Sequence, residues 1–91
     1  MALKTYMITY ISEMEPHLRR PLAAAIKQIA EESHRFGDMW IIKSAKSAKD
    51  IRDAIVRRTG SEGYFLVVRL FREAAWTHLP EETVSFLKQR L

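Results

Sequence analysis

Two carboxylates and one imidazole alternate in a short segment of the sequence, at Glu13, Glu15 and His17. Oxygen and imidazole groups of this kind are ligands for divalent metal ions. Residues two apart in a loop share no fixed direction, however, and no distant fourth ligand stands at a motif spacing. We therefore interpret the segment as a solvated loop, and we predict neither a metal site nor a cofactor.

Nucleophilic catalysis and phosphate-loop chemistry also lack support in the sequence. No serine lies in a Gly-x-Ser-x-Gly elbow or beside a candidate base. The glycines Gly37, Gly60 and Gly63 each fall near a predicted turn and form no phosphate-binding loop. Cysteine is absent, which excludes a disulfide framework, a zinc ribbon and a thiol nucleophile. No catalytic residue is predicted, and most cofactor-dependent enzyme classes are excluded.

Positive charge is the one chemical bias of the chain. Fifteen Lys and Arg stand against eleven Asp and Glu, a formal net charge of +4, and such an excess attracts polyanions. Lys46 and Lys49 fall near a predicted helix N-terminus, which itself favours anions. The residues predicted to bind nucleic acid are Lys43, Lys46, Lys49, Arg52 and Arg69. Asp50 and Asp53 dilute this patch, so a solvated helix face is the simpler alternative.

The apolar pattern predicts one α+β domain over residues 1–91. The predicted strands span residues 3–11, 34–36, 39–43 and 64–71. The predicted helices run from Leu18 to near Ser33, from a Ser47 cap to before Gly60, and from Pro80 onward. Strand, helix, strand, strand, helix, strand is the split βαβ order, so we predict a ferredoxin-like βαββαβ sandwich with an added C-terminal helix.

Alternation in the last predicted strand places apolar residues on both of its sides. One side carries Leu66, Val68 and Leu70, and the other carries Phe65, Val67, Arg69 and Phe71. The two helices of a split βαβ sheet cover one face only, so the other face needs a cover. The C-terminal helix would supply part of it, and a second copy in a two-fold homodimer the rest. The residues predicted for the dimer interface are Phe65, Val67, Phe71 and Met7.

The aromatic side chains have an alternative use. Phe65, Phe71 and the tyrosines would form a platform for stacked RNA bases, as in RNA-recognition domains. In those domains the aromatic motif lies before the second helix, whereas residues 63–67 follow it here. The order of the elements therefore favours packing over base stacking.

Residues 4–10, 39–43, 47–54 and 66–76 together resemble the SinR family of small bacterial and phage proteins. That family is similar in fold to the small CRISPR adaptation subunit and to VapD-type ribonucleases. The likeness covers most of the chain except residues 13–20. It implies a ferredoxin-like protomer in a homodimer whose two sheets lie close together.

The resemblance also bears on catalysis. In the nuclease relatives, a carboxylate directly after the first strand's tyrosine is associated with a divalent metal. Here Ile11 follows Tyr10, and an alkyl group cannot coordinate a cation. We therefore expect a non-enzymatic dimeric scaffold or binding module associated with nucleic acid. The alternative is a metal-dependent nuclease with a degenerate metal site that uses Glu13 or Asp38.

Nothing in the sequence indicates a membrane. The first fifteen residues lack the uninterrupted apolar region and the cleavage site of a signal peptide. The longest apolar run, from Tyr64 to Val68, is too short to span a bilayer. We predict a cytoplasmic protein without a membrane partner.

Overall fold

A four-stranded antiparallel sheet organises the chain. The computed structural model describes residues 2–10, 19–37, 39–60 and 65–91. The strands are β1 (Lys4–Tyr10), β2 (Glu32–Phe36), β3 (Met39–Ser44) and β4 (Phe65–Leu70). The helices are α1 (Arg19–Ile29), α2 (Ala48–Thr59) and α3 (Glu81–Arg90). The strand order is β2-β3-β1-β4, and the predicted α+β class is confirmed.

The start of β2 differs from the prediction. We expected the first helix to end near Ser33, but α1 ends at Ile29 and Ser33 lies within β2. Residues 31–33 join the sheet instead of the helix. The Glu31 N–H donates to the Lys43 carbonyl at 2.8 Å, and Glu32 pairs with Lys43.

The ends of α2 follow the capping rules. The Ser47 hydroxyl accepts a hydrogen bond from the Asp50 N–H at 3.1 Å, as the predicted cap requires. At the other end Gly60 has φ 71°, a left-handed conformation that favours glycine, and its N–H donates to the Val56 carbonyl. Both boundaries of α2 thus follow from single residues of the sequence.

The main core lies between the sheet and the two helices α1 and α2. The buried apolar residues of this core are Tyr6, Ile8, Tyr10, Leu22, Ala25, Ile26, Trp40, Ile42, Ile51 and Ile55. Phe65 and Val67 of β4 pack against the same core. Burial of these side chains between two layers supplies most of the driving force for folding.

The helix α3 covers part of the opposite sheet face. The Thr5 hydroxyl of β1 donates to the Arg90 carbonyl at 2.8 Å. Ile41 of β3 and Leu87 of α3 are both buried, outside the main core cluster. Cover by α3 does not extend to the edge strand β4, where Leu66 remains 55% exposed and Val68 36% exposed. Each helix in the described ranges is too short or too polar to span a bilayer.

Candidate functional site

One end of the sheet gathers residues from all four strands. In the observed register, Lys4 lies opposite Ser44, Thr5 lies opposite Leu70, and Glu32 lies opposite Lys43. The first residues of β1 and β2 are therefore neighbours of the last residues of β3 and β4. Residues more than sixty positions apart in the sequence, such as Thr5 and Leu70, are neighbours at this end of the sheet.

An open hollow of about 260 Å³ lies at this end of the sheet. Its cationic lining consists of Lys4, Lys43, Arg69, Arg72 and Arg90. Leu91 also lines the hollow. A cluster of like charges around a concavity raises the local positive potential and attracts anions.

Arg90 is the one cation of this group that already has a carboxylate partner in the described part of the chain. Its Nε and Nη2 donate to the two Glu32 carboxylate oxygens at 3.2 and 2.7 Å. Its guanidinium also lies 3.9 Å from the centre of the Phe86 ring. The hydrogen bonds from Arg90, helped by the charges of Arg90 and Lys43, hold the pKa of Glu32 below its usual value of 4.5.

The other four cations are not neutralised in this way. Among the residues that the structure describes, no carboxylate forms an ion pair with the side chains Lys4, Lys43, Arg69 or Arg72. In the described part of the chain, no ion pair therefore offsets these four charges, although Glu32 lies opposite Lys43. By the strand register, Lys4 and Arg69 lie on the sheet face of Tyr6 and Lys43 on the face of Thr5, so the end of the sheet offers an anion positive charge from both sides.

Phe71 lies at the rim of this hollow with 70% of its surface exposed. The guanidinium carbons of Arg69 and Arg72 lie 5.5 and 5.7 Å from the centre of its ring, within the range of cation–π attraction. Arg72 has φ 60°, and the Glu73 N–H donates to the Phe71 carbonyl at 2.7 Å. This tight turn directly after β4 presents an aromatic ring between two arginines.

The structure divides the residues predicted to bind nucleic acid. Lys43 and Arg69 line the hollow. Lys46 lines a separate groove between α1 and α2, and the side chain of Lys49 is exposed on α2. Arg52 forms an ion pair with Asp53 at 2.9 Å. The predicted patch is thus not one surface.

The sequence analysis missed Lys4, Arg72 and Arg90 as members of the hollow. Each stands at or beyond the end of an element, Lys4 at the start of β1, Arg72 just after β4 and Arg90 at the end of α3. The sequence shows that these charged residues stand at the ends of elements. It does not show that they are neighbours, because that depends on the strand order β3-β1-β4, which the charges do not reveal.

The structure also places the four residues predicted for the dimer interface on different parts of the molecule. Phe65 and Val67 pack against the main core, because Val67 pairs with Ile8 and points toward the helices as Ile8 does. Met7 lies on the opposite sheet face, beside Val68. Phe71 lies beyond the strand at the hollow. These four side chains do not form one surface.

The residues weighed as metal ligands in the sequence lie outside the described residues. Glu13, Glu15, His17, Ile11 and Asp38 all lie in segments that are not described. Within the described ranges, no group of three His, Asp or Glu side chains is placed to hold a metal ion.

Comparison with known proteins found no match. No protein-family model, no curated protein and no solved structure matches it. The resemblance to the SinR family therefore stays a prediction, and the function must be argued from the geometry of the chain itself.

Proposed function

We propose that this protein is a non-enzymatic binding module for nucleic acid and that the hollow at the end of the sheet is its phosphate-binding site. The observation that carries the proposal is the hollow lined by Lys4, Lys43, Arg69 and Arg72, none of which forms an ion pair with a carboxylate in the described part of the chain. Phosphate oxygens of a polynucleotide supply several negative charges at regular spacing, which suits such a cluster better than a single small anion does.

Contacts between the strands and α3 hold the residues of the hollow in position. The Glu32–Arg90 pair lies at its border and fixes the end of α3 beside β2. Lys43 on β3 lies opposite Glu32 on β2. The position of Lys4 is set by the pairing of β1 with β3, which places it opposite Ser44. Because lysine and arginine that bind phosphates release counterions, binding at the hollow should weaken as the salt concentration rises.

For the protomer we infer a ferredoxin-like fold. Its support is the strand order, which reads β4-β1-β3-β2 from the other edge of the sheet, together with α1 and α2 on one face. In this order β1 lies between β3 and β4, so the unit β3-α2-β4 is a split βαβ motif.

We propose in addition that two copies form a homodimer through the uncovered half of the second sheet face. Leu66 and Val68 are exposed there on β4, which has no strand neighbour on its outer side among the described residues. Exposed apolar side chains on a sheet face mark a contact surface, and packing of this patch on the same patch of a second copy gives a self-complementary two-fold contact. We therefore assign the dimer contact on β4 to Leu66 and Val68 in place of their neighbours Phe65 and Val67, which pack against the main core.

A salt titration tests the binding function. Fluorescence anisotropy of a labelled twenty-nucleotide strand is measured with wild type, Lys43→Ala and Arg69→Ala at several KCl concentrations. We expect binding that weakens steeply with salt, and each substitution should lower the slope of log K against log salt by about one. Arg20→Ala is the matched control, because Arg20 is an exposed cation at the start of α1, away from the hollow.

The outcomes separate clearly. If Arg20→Ala weakens binding as much as Lys43→Ala does, the protein binds through its overall charge and the hollow is not the site. If wild type binds no nucleic acid even at low ionic strength, the proposed function is wrong.

A further inference from the structure

We propose that the ring of Phe71 stacks on an unpaired base, so that the hollow takes single-stranded rather than double-stranded nucleic acid. This inference rests on the proposed function, because it adds base stacking to a site that contacts phosphates. Its basis is the position of one exposed aromatic ring among cations that have no carboxylate partner in the described chain.

The two arginine–phenylalanine contacts of this protein differ in kind. The Arg90 guanidinium lies 3.9 Å from the centre of the Phe86 ring and also binds Glu32. Phe86 itself is half-buried. Arg69 and Arg72 lie 5.5 and 5.7 Å from the centre of the Phe71 ring. The first contact fixes α3, whereas Phe71 is 70% exposed beside its two arginines, which leaves ring surface for another flat group.

Proteins that bind single strands combine the two features found here. They use a positively charged groove for the phosphates and aromatic side chains on which bases stack. Arginine guanidinium planes add cation–π contacts to the same bases. In this chain Phe71 supplies the aromatic face, while Arg69, Arg72 and Lys4 supply positive charge around it.

Geometry favours an unpaired base over a duplex. Bases within a duplex are already stacked on each other, so a single exposed ring at a rim reaches only a base that is unstacked. The hollow of about 260 Å³ is smaller than the about 300–1,000 Å³ clefts that enclose drug-sized ligands. It therefore suits one nucleotide unit of a strand that passes over the end of the sheet.

The turn after β4 fixes the ring in this position. Arg72 adopts φ 60°, which is uncommon for a residue other than glycine, and the Glu73 N–H closes the turn on the Phe71 carbonyl. Such strained backbone persists where the surroundings determine it, and it occurs preferentially at functional sites. The strain thus agrees with a site that presents Phe71 and Arg72 together.

The test uses three DNA ligands that share a length: a single strand of twelve nucleotides, the same strand in a duplex, and a strand of twelve abasic sugar-phosphate units. Binding is measured by anisotropy with wild type, Phe71→Leu and Phe71→Trp. We expect wild type to bind the single strand about tenfold more tightly than the abasic strand, the effect of stacking one base. Phe71→Leu should lose that preference while binding of the abasic strand stays unchanged.

Phe71→Trp should keep the preference, and the new indole fluorescence should be quenched by the single strand and not by the abasic strand. The inference is overturned if the abasic strand binds as tightly as the single strand, if the duplex binds more tightly than both, or if Phe71→Leu has no effect. It is also overturned if Phe71→Leu changes the molar mass in light scattering, because the ring would then belong to an interface. Failure of all three ligands to bind wild type would instead contradict the proposed function.

Discussion

The imidazole Nε2 of His34 on β2 lies 2.8 Å from the hydroxyl oxygen of Thr83 on α3. The His34 ring also stacks on Phe86, with 5.2 Å between ring centres and 25° between planes. Thr83 is only 1% exposed, so its hydroxyl depends on this partner rather than on water. The contact is one of the polar links that dock α3 on the second face of the sheet, beside those that Arg90 forms with Thr5 and Glu32.

Replacement of Thr83 by valine tests this link. Valine has nearly the same shape but no hydroxyl, so the half-buried His34 nitrogen loses its partner. We expect the free energy of unfolding to fall by about 1–3 kcal/mol, measured by urea denaturation. Thr83→Ser keeps the hydroxyl and serves as the control. If the valine variant is as stable as the serine variant, the hydrogen bond does not contribute to docking of α3.

Acid should weaken the second contact of α3. Arg90 lowers the pKa of Glu32 in the folded state, so this pair stabilises the fold above the ordinary carboxyl pKa of 4.5 and the stabilisation is lost as pH falls through the lower folded value. We expect Glu32→Gln to have a lower urea midpoint than wild type at neutral pH. The difference should shrink as pH falls below 4.5 and vanish once Glu32 is protonated in the folded state as well. A difference that persists unchanged in acid would show that the charge of Glu32 is not its cause.

The elements of this fold could be predicted from local sequence patterns. Alternation marked β1 and β4, and the Ser47 cap and Gly60 marked the ends of α2. These features depend on residues within one or two turns of each other, so the sequence contains the required information locally. The start of β2 was placed too late because sheet pairing with β3, a longer-range effect, decides it.

The faces of β4 and the composition of the hollow could not be predicted in the same way. Alternation separates Val67 from Val68 but does not say which of them points toward the helices. That choice follows from the pairing of Val67 with Ile8, since Ile8 belongs to the main core. Likewise Lys4 and Arg72 meet only because β1 lies beside β4. Both features depend on contacts between segments that are distant in the sequence, and a local pattern contains no information about such contacts.

The turn at Arg72 predicts an opposition between stability and binding. A left-handed conformation costs a residue with a Cβ about 1 kcal/mol relative to glycine. We therefore expect Arg72→Gly to be more stable than Arg72→Ala by about 1 kcal/mol in urea denaturation. Both variants lack the guanidinium, so both should bind the single strand more weakly than wild type. Equal stability of the two variants would show that the turn is not strained.

The nuclease alternative makes a separate prediction. Because Ile11 replaces the carboxylate of the nuclease relatives, we expect single-stranded RNA and DNA to stay intact when incubated with the protein and Mg²⁺ or Mn²⁺. Products are followed by denaturing gel electrophoresis. Cleavage by wild type that disappears in Glu13→Ala or Asp38→Asn would replace the binding module by a metal-dependent nuclease. Cleavage that persists in both variants would indicate a contaminating enzyme.

Adjacent residues of β4 provide a matched test of the homodimer. Val67 packs against the main core and Val68 lies on the opposite face with 36% of its surface exposed. An unpaired carboxylate in the core is costly, so Val67→Asp should destabilise or unfold the protein, as seen by circular dichroism. Val68→Asp should stay folded, because its carboxylate can reach water, and light scattering should report a monomer. The same measurement on wild type should report a dimer. A monomeric wild type, or a Val68→Asp variant that remains dimeric, would place any contact between copies elsewhere than on this half of the sheet.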